Sequence, residues 1–400
     1  MSEWKLKDCC LSISDGDHLP PPKADSGIPF ITISNIDSTN HIDFGNTLFV
    51  SIDYYNKLDP IRKAKPNDII YSVVGSFGKP VLIKDNRKFV FQRHIAILRP
   101  NSEVVDSRFL YYVMLSRDFY MQADSVAIGA AQRTISLTSL RNMKVELPSL
   151  ANQIYIADVL SRYDSLIENY QKQIKLLEEA AQRLYKEWFV DLHFPGHENT
   201  KIVDGVPEGW EKKMVGDIVK IKSGYAFKSK DWQSTGCPVV KIKDITGTFV
   251  NSGLLDCVTF DIASKAKQYL LNSGDLVIAM TGATIGKIGI IVDNGLYTNQ
   301  RVGKFFLNEE DLPFIYCFFK QESSLKQIIQ LSSASSAQPN ISGAQLESLS
   351  FVYNEELYVK YNLECISLFK QMISLQSQIR LLTEARDRLL PKLMSGEIAV

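Results

Sequence analysis

The chain has 400 residues, of which 45 are basic and 45 acidic, so its formal net charge is zero. That length allows two or three domains with full-sized cores, and a hydrophobic content of 45% excludes a largely disordered chain. Zero net charge excludes a general electrostatic attraction to DNA or membranes, so any anion-binding surface has to be local.

The sequence predicts a cytoplasmic protein without a membrane span, a signal peptide or a metal site. It has no apolar run of about 18 residues and no apolar segment behind its charged N-terminus. Its six cysteines form no CxxC pair and no Cys/His spacing typical of zinc, which favours reduced thiols. His193 and His197 are separated by a Pro-Gly pair, so they cannot share a helix face as metal ligands.

Residues 1–148 predict a mixed α/β or α+β module, because short apolar runs alternate with Gly, Pro, Asn and Asp. Within it we expect strands at 29–36, 68–74 and 89–98, a helix at 107–122, and a loop entering a short helix at 129–140.

A long helix is predicted next, because apolar residues then step by three and four without a Pro or Gly. Its heptad seam consists of Leu160, Tyr163, Ile167, Tyr170, Ile174, Leu177, Ala181, Leu184 and Trp188. A polar linker follows, and then a second module with strands expected at 238–245 and 275–280. A second helix at 359–394 keeps the same stepping, with Leu375, Ile379, Leu382, Arg386, Leu389 and Leu393 on its seam.

The second half of the chain repeats the first after about 205 to 209 residues, a period that indicates a duplicated domain. The matched positions are Trp4 with Trp210, Asp68 with Asp275, Gly75 with Gly282, the pair Gln92-Arg93 with Gln300-Arg301, and Ile135-Ser136 with Ile341-Ser342. The predicted segments are a first module at 1–148, a central helix at 149–192, a linker at 193–209, a second module at 210–353 and a distal helix at 354–400.

A lone heptad helix needs a partner to cover its seam, so we expect the two helices to pack on each other. If they are antiparallel, they hold the modules at opposite ends of a rod. The alternative is that each helix folds back on its own module.

Basic residues are concentrated in two loops. Residues 79–99 hold six basic side chains against one acidic, and residues 287–307 hold three against one. Such clusters are typical of a localised anion-binding face, although a solvated loop would look the same. The DNA-binding candidates are Lys79, Lys84, Arg87, Gln92, Arg93, Tyr225, Lys228, Lys230, Lys287, Gln300 and Arg301.

Gln and Arg can pair bidentately with adenine and guanine edges, whereas Lys contacts phosphate and Tyr can stack on a base. Each candidate also has a structural explanation. Gln92-Arg93 could cap a strand end, and Tyr225 to Lys230 could be a surface turn around a buried Phe227. The occurrence of the Gln-Arg pair in both modules favours DNA.

Motifs for catalysis are lacking in the sequence. The segment from Gly282 to Lys287 resembles a phosphate loop, but it is one residue too short and Ile288 replaces the magnesium-binding Ser/Thr. We therefore predict a turn after a strand. No G-x-S-x-G, H-E-x-x-H or G-x-G-x-x-G motif is present.

Several motifs together resemble the specificity subunit of type I restriction-modification systems, over the whole chain. They are Gly-x-Pro-x-Ile/Val-x-Ile-x-Asn/Asp-Ile at 27–36 and 236–245, Gly-Asp-Leu-Val at 274–277, Asn-Gln-Arg at 299–301, Leu-Glu-Glu-Ala-Ala-Gln-Arg-Leu at 177–184, Phe-Pro-Gly at 194–196, Pro-Glu-Gly-Trp at 207–210 and the ending at 383–397. The first module departs from the pattern, since it lacks an Asn before Gln92 and its turn from Gly75 to Lys79 is one residue shorter.

The resemblance implies an α/β (α+β) fold in which two similar target-recognition domains are separated by two long antiparallel coiled-coil helices, with an internal pseudo-twofold repeat. Each domain would read one half of a split, asymmetric site in double-stranded DNA. The helices would dock two modification (methyltransferase) subunits, and restriction/translocase subunits would join them. The partners would use S-adenosylmethionine, ATP and magnesium, whereas this chain would bind no cofactor and would act in a bacterial or archaeal nucleoid. The alternatives are the recognition part of a fused restriction-modification enzyme and a coiled-coil scaffold without DNA binding.

Overall fold

The structure is a computed structural model that describes residues 2–16, 21–37, 39–130, 132–332 and 339–398. It divides into two compact units, the first made of Met1–Leu166 with Thr383–Val400 and the second of Ile167–Leu382. These units do not follow the five predicted segments, because each long helix contributes residues to the first unit and to the second. The segment boundaries themselves stay a prediction.

The first unit contains nine strands and five complete helices in its described part, in the order that the sequence gives them. They are β1 (Ser2–Lys5), α1 (Leu6–Cys9), β2 (Cys10–Asp15), β3 (Ile28–Ile31), β4 (Leu48–Val50), α2 (Ile52–Lys57), β5 (Ile69–Ser72), β6 (Pro80–Leu82), β7 (Val90–Phe91), β8 (Ile95–Pro100), α3 (Ser107–Leu115), α4 (Arg117–Val126), α5 (Leu137–Asn142) and β9 (Lys144–Leu147). The long helix α6 (Leu150–Tyr185) begins in this unit.

Three small sheets build the first unit. The strand orders are β1-β9, β2-β8-β5-β6 and β4-β3-β7. Strands β3 and β7 are parallel, whereas the other pairs are antiparallel. Two cores lie on the four-stranded sheet, because alternate residues of β5 point to opposite faces. Ile69 and Tyr71 belong to one core, and Ile70 belongs to the other.

The second unit repeats this arrangement with additional strands. Its elements are β10 (Ile202–Val203), β11 (Val206–Pro207), β12 (Glu211–Met214), β13 (Lys220–Ser223), β14 (Trp232–Gln233), β15 (Cys237–Val240), β16 (Asp256–Val258), α7 (Phe260–Ser264), β17 (Leu270–Leu271), β18 (Leu276–Ala279), β19 (Ile288–Ile290), β20 (Leu296–Thr298), β21 (Val302–Phe306), α8 (Leu312–Lys320), α9 (Glu322–Ser332), α10 (Gly343–Glu347), β22 (Ser350–Tyr353) and the long helix α11 (Glu355–Met394). The sheet β13-β21-β18-β19 corresponds to β2-β8-β5-β6, and β16-β15-β20 corresponds to β4-β3-β7, with β14 and β17 added at its edges.

Two predicted strands end earlier than expected. The strand predicted at 29–36 stops at Ile31, and the one predicted at 238–245 stops at Val240. A turn of 3-10 helix follows in each module, because a side-chain oxygen accepts a hydrogen bond from the backbone N–H three residues before it. Asn35 Oδ1 accepts from the N–H of Thr32 at 2.9 Å, and Asp244 accepts from the N–H of Lys241 at 2.8 Å.

The single helix predicted at 107–122 is wrong, since it is two helices, α3 and α4, separated at Ser116. The Ser116 backbone is extended, with φ −64° and ψ 150°, and its hydroxyl accepts from the N–H of Phe119 at 3.2 Å. A serine in this position caps the second helix. The strand predicted at 89–98 is likewise two strands, β7 and β8, with a turn between them.

Both long helices are present. Helix α6 has 36 residues and continues as a π-helix over Lys186–Val190, and α11 has 40 residues and begins four residues before the predicted start. The buried residues of the two predicted seams are Leu160, Ile167, Ile174, Ala181, Trp188, Leu375, Ile379 and Leu393. The half-buried ones are Tyr163, Tyr170, Leu177, Leu184, Leu382, Arg386 and Leu389. None of the described helices is long and apolar enough to cross a membrane.

Segments of both helices pack together within each unit. In the second unit the Tyr361 hydroxyl donates to the Ala181 carbonyl at 3.0 Å, while Gln171 and Gln376 line one cavity further along. The residue numbers rise on one helix as they fall on the other, so these segments run antiparallel. In the first unit Arg386 contacts Asp164 at 2.7 Å. Neither helix therefore packs on its own module alone, as the alternative required.

Candidate nucleic-acid interface

A polar turn follows the second strand of the parallel pair in each module. In the first module the turn lies between β7 and β8, and in the second between β20 and β21. Identical backbone hydrogen bonds hold both. The N–H of Gln92 donates to the Ile31 carbonyl at 3.1 Å, and that of Asn299 donates to the Val240 carbonyl at 3.0 Å.

The next residues confirm that the two turns correspond. The His94 carbonyl accepts from the N–H of Val73, and the Arg301 carbonyl accepts from the N–H of Met280, both at 2.9 Å. The turns therefore join the two sheets of a module in the same way.

These hydrogen bonds correct the predicted pairing of Gln92-Arg93 with Gln300-Arg301, which is wrong by one residue. Gln92 corresponds to Asn299, Arg93 to Gln300 and His94 to Arg301. The second module has one more residue in the turn before Lys287, whereas the first module has one more residue in the loop before β7. Equivalent residues are therefore 208 positions apart only between these two loops, and 207 positions apart again at the polar turn. The first module thus has Gln92 where the motif has Asn.

Trp4 and Trp210 do not correspond either. The N–H of Leu6 donates to the Met143 carbonyl at 2.9 Å, and that of Val215 donates to the Leu349 carbonyl at 2.8 Å, which aligns Trp4 with Lys213. Trp210 instead contacts the rings of Phe194 and Phe189, with centroids 4.8 and 5.9 Å away.

In the second module the structure brings Tyr225 next to the polar turn. The N–H of Gln300 donates to the Tyr225 carbonyl at 2.9 Å, and the N–H of Tyr225 donates to the Thr298 carbonyl at 2.9 Å. The Tyr225 ring is half-buried beside Phe227 and Tyr269. Phe227 is buried, and Lys228 and Lys230 are exposed just after it, as a surface turn requires.

Lys287 and Arg301 flank the carboxyl end of β18. On one side, the N–H of Ala279 donates to the Lys287 carbonyl at 2.8 Å. On the other side, the N–H of Met280 donates to the Arg301 carbonyl. Lys287, Gln300 and Arg301 are all exposed. A short 3-10 helix over Gly282–Thr284 fills the intervening segment, which confirms the predicted turn after a strand.

The first module separates its candidates into two groups. Lys79 lies near the polar turn, but its Nζ donates to the carbonyls of Ile36 and Asp37 at 3.3 Å each. Lys84 and Arg87 lie in the loop before β7, whereas Arg93 lies after it, so the strand separates them. The Arg87 guanidinium covers the Phe44 ring, 3.9 Å from its centroid.

Sequence reasoning missed His94 as a candidate, because the misaligned pairing placed Arg93 opposite Arg301. His94 is half-buried at the turn. Burial lowers the pKa of its imidazole, and the nearby positive charge of Arg93 lowers it further. Aligning the modules on the hydrogen-bonded strands rather than on identical residues would have found it.

Part of the basic charge counted in the sequence serves the fold. Arg99 forms a bidentate pair with Asp68, with distances of 3.0 and 2.8 Å, and Lys304 contacts Asp275 at 2.6 Å. Lys241 and Lys243 both contact Asp256, and their hydrogen bonds lower the pKa of that carboxyl group. These lysines and Arg99 are therefore partly neutralised within the protein.

The Pro-Gly turn brings His193 and His197 together, with ring centroids 5.3 Å apart. Over the ranges that the structure describes, no group of three or more His, Cys, Asp or Glu side chains could hold a metal ion. The candidate interface remains the set of polar and basic side chains at the strand ends.

Comparisons with known proteins show which family and which fold this chain resembles. The MjaIX type I restriction enzyme specificity subunit of Methanocaldococcus jannaschii is 28% identical over 321 residues, which are 75% of this chain and 71% of that protein. The HindI specificity subunit of Haemophilus influenzae is 23% identical in an alignment that covers both chains completely. The crystal structure of a type I restriction-modification S subunit from M. genitalium shares the fold, with a TM-score of 0.59, 19% identity, and coverage of 98% of this chain and 95% of that one.

A family model described as the type I restriction modification DNA specificity domain matches the chain twice, at residues 3–179 and 207–352. The two matches coincide with the two halves of the repeat. The chain therefore belongs to the family of type I restriction-modification DNA specificity subunits.

Proposed function

We propose that this chain selects a bipartite, asymmetric DNA sequence and directs partner subunits to methylate or cleave the DNA. Each module reads one half-site. The observation that carries the proposal is the polar turn, which has the same backbone hydrogen bonds in both modules but different side chains. A shared scaffold with different exposed side chains is what two different half-sites require.

Two modification subunits bind the long helices in this proposal. Its support is a pair of exposed leucines at equivalent repeat positions. Leu176 in α6 is 64% exposed, and Leu381 in α11 is 53% exposed, although both helices bury a seam. The segment Ile-x-Leu-Leu-x-Glu-Ala surrounds each of them. Equivalent apolar positions on two helices suit two copies of one partner.

The chemistry belongs to the partners. They supply S-adenosylmethionine-dependent methyl transfer and the ATP- and magnesium-dependent translocation and cleavage, while this chain supplies the sequence choice. Incubation of the purified chain with labelled S-adenosylmethionine and DNA should give no methylated product. Methyl transfer by the chain alone would contradict a non-catalytic role for it.

Exchange of one module tests the bipartite reading. Residues 210–353 are replaced by the matching module of a relative, and the methylated sites are mapped after coexpression with the modification subunits. One half-site should change while the other is retained. A change in both halves contradicts modular reading. In a gel-shift assay with the partners, a scaffold without DNA binding would give no shifted DNA at all.

A further inference from the structure

The two polar turns present different dipeptides at the same place. Arg93-His94 occupies the turn of the first module, and Gln300-Arg301 occupies the turn of the second. The turns are closed alike, since the N–H of Ile95 donates to the Gln92 carbonyl at 3.0 Å and that of Val302 donates to the Asn299 carbonyl at 2.8 Å. The backbone is therefore common to both modules, and the side chains are what differ.

A glycine fixes the position of each turn. A Cβ atom on Gly16 would lie 2.4 Å from the Gln92 carbonyl oxygen, and one on Gly224 would lie 2.5 Å from the Asn299 carbonyl oxygen. The neighbouring strand thus approaches the turn at a distance that only glycine allows. The Asn299 side chain adds a bond in the second module, because its Oδ1 accepts from the N–H of Arg301 at 3.2 Å.

The side chains on these two turns are wholly or partly accessible to solvent. Arg93, Gln300 and Arg301 are exposed, and His94 is half-buried. A held backbone with free polar side chains suits reading of base edges, because the geometry of a bidentate contact has to be set in advance. The basic loop before β7 contains Lys84, Arg87 and Lys88 and lies at the other end of the strand from the polar turn. It has no basic counterpart in the second module, where the segment 292–295 contains no Lys or Arg.

We propose that these two dipeptides determine which bases each module selects, whereas the basic loop of the first module binds phosphate without base preference. The inference rests on the proposed function. Arg pairs bidentately with guanine and Gln with adenine. Arg93 therefore selects a guanine in the first half-site, Gln300 selects an adenine at the corresponding place in the second, and His94 and Arg301 contact the adjacent base.

The test exchanges the dipeptides within the full-length chain. The variant Arg93→Gln with His94→Arg gives the first module the dipeptide of the second, and Gln300→Arg with Arg301→His does the reverse. Each is assembled with the modification subunits, and its affinity is measured for the mapped site and for duplexes with single base changes in either half-site.

In the first variant, preference at one position of the first half-site should change from guanine to adenine, and discrimination for the original base should fall about 5- to 150-fold. The second half-site should keep its preferences. The reverse variant should show the mirrored result. Because the two variants alter different modules, a folding failure in one leaves the other as a complete test.

Lys88→Gln is the control, since Lys88 is exposed in the basic loop. It should weaken every duplex alike and reduce the dependence on salt concentration. The inference is overturned if both exchanged variants keep the base preferences of the unaltered chain, or if Lys88→Gln changes them. If the unaltered chain shows no base preference, the proposed function fails as well.

Discussion

Asp68, which is buried, and Asp275, which is half-buried, are paired with basic residues at different repeat positions in the two modules. The Asp68 side chain accepts from the N–H of Lys65, and Asp275 accepts from the N–H of Asn272 at the equivalent position. Arg99 covers the first carboxylate and also donates to the Lys63 carbonyl at 3.0 Å. In the second module Lys304, two positions earlier in the repeat, covers the carboxylate and donates to the Leu270 carbonyl at 3.0 Å.

Loss of the arginine should destabilise the first unit. In Arg99→Ala the Asp68 carboxylate, with 2% of its side chain exposed, remains buried without its ion pair. Removal of one partner of a buried pair costs about 3–5 kcal/mol. Urea unfolding should show this decrease in the free energy of unfolding. Arg93→Ala, at an exposed residue of the same unit, should stay within about 0.5 kcal/mol of the unaltered chain; equal losses in both variants would contradict a special role for Arg99.

Other residue-level features could be predicted only in part from the sequence. The backbone conformation that the two turns share depends on hydrogen bonds between segments far apart in sequence. In the first module, for example, Gln92 bonds to Ile31, about 60 residues earlier. Differences in loop length between the modules shift the sequence spacing, so matching identical residues predicts a wrong register. The end of strand β3 depends on a single side chain, that of Asn35, which competes with the strand for backbone N–H groups.

At the scale of elements, the sequence predicts the two long helices most directly, because a stepping of three and four residues over such a length has one structural explanation. What the stepping could not predict is which positions outside the seam become buried. Glu178 lies next to the seam, yet only 15% of its side chain is exposed. It accepts hydrogen bonds from the Tyr316 hydroxyl at 2.6 Å and the Thr248 hydroxyl at 2.5 Å.

We expect Glu178 to tie α6 to the second module. Burial raises the pKa of the Tyr316 hydroxyl, and the Glu178 carboxylate raises it further, so the phenol stays protonated and donates. Glu178→Ala should lower the free energy of unfolding by about 1–3 kcal/mol, because the buried phenol loses its acceptor. In the same variant, the backbone amides of α8 should exchange their hydrogens faster, because α8 carries Tyr316.

The neighbouring residue provides the control for this prediction. The Glu179 side chain is 49% exposed and contacts Lys175 at 3.8 Å. Glu179→Ala should change stability by no more than about 0.5 kcal/mol. If the two alanine variants unfold at the same denaturant concentration, the hydrogen bonds of Glu178 contribute nothing measurable.

The exposed leucines allow partner docking to be tested one site at a time. Leu176→Asp or Leu381→Asp should reduce the number of bound modification subunits from two to one, because each places a charge in one apolar contact. The double variant should bind none. Native mass spectrometry counts the subunits directly. Asn169→Asp is the control, since Asn169 is an exposed polar residue of α6. Retention of two subunits by the double variant would place the docking surface elsewhere.

At the scale of the whole molecule, the sequence predicts that the two helices set the distance between half-sites. Insertion of one heptad into each helix keeps its seam in phase and adds about 10.5 Å, since each residue adds about 1.5 Å. The gap between half-sites should then widen by about three base pairs, which also rotates the far half-site by roughly 100° about the DNA axis. Affinity can fall for that reason. Methylation mapping gives the spacing between the half-sites. An unchanged spacing would mean that the helices do not determine that distance.

The first unit is assembled from both ends of the chain, and this has a consequence for connectivity. Leu6 and Leu393 lie in the same core, although 387 residues separate them in sequence. We therefore expect that the order of the modules along the chain does not affect which DNA sequence is selected. A circular permutant can be made with the original ends joined by a flexible linker and new ends opened between Asp204 and Gly205, in the exposed turn of the β10–β11 hairpin. Assembled with the modification subunits, it should direct methylation to the same sequence as the unaltered chain. A permuted chain that folds but selects a different sequence would show that connectivity does contribute to the choice of site.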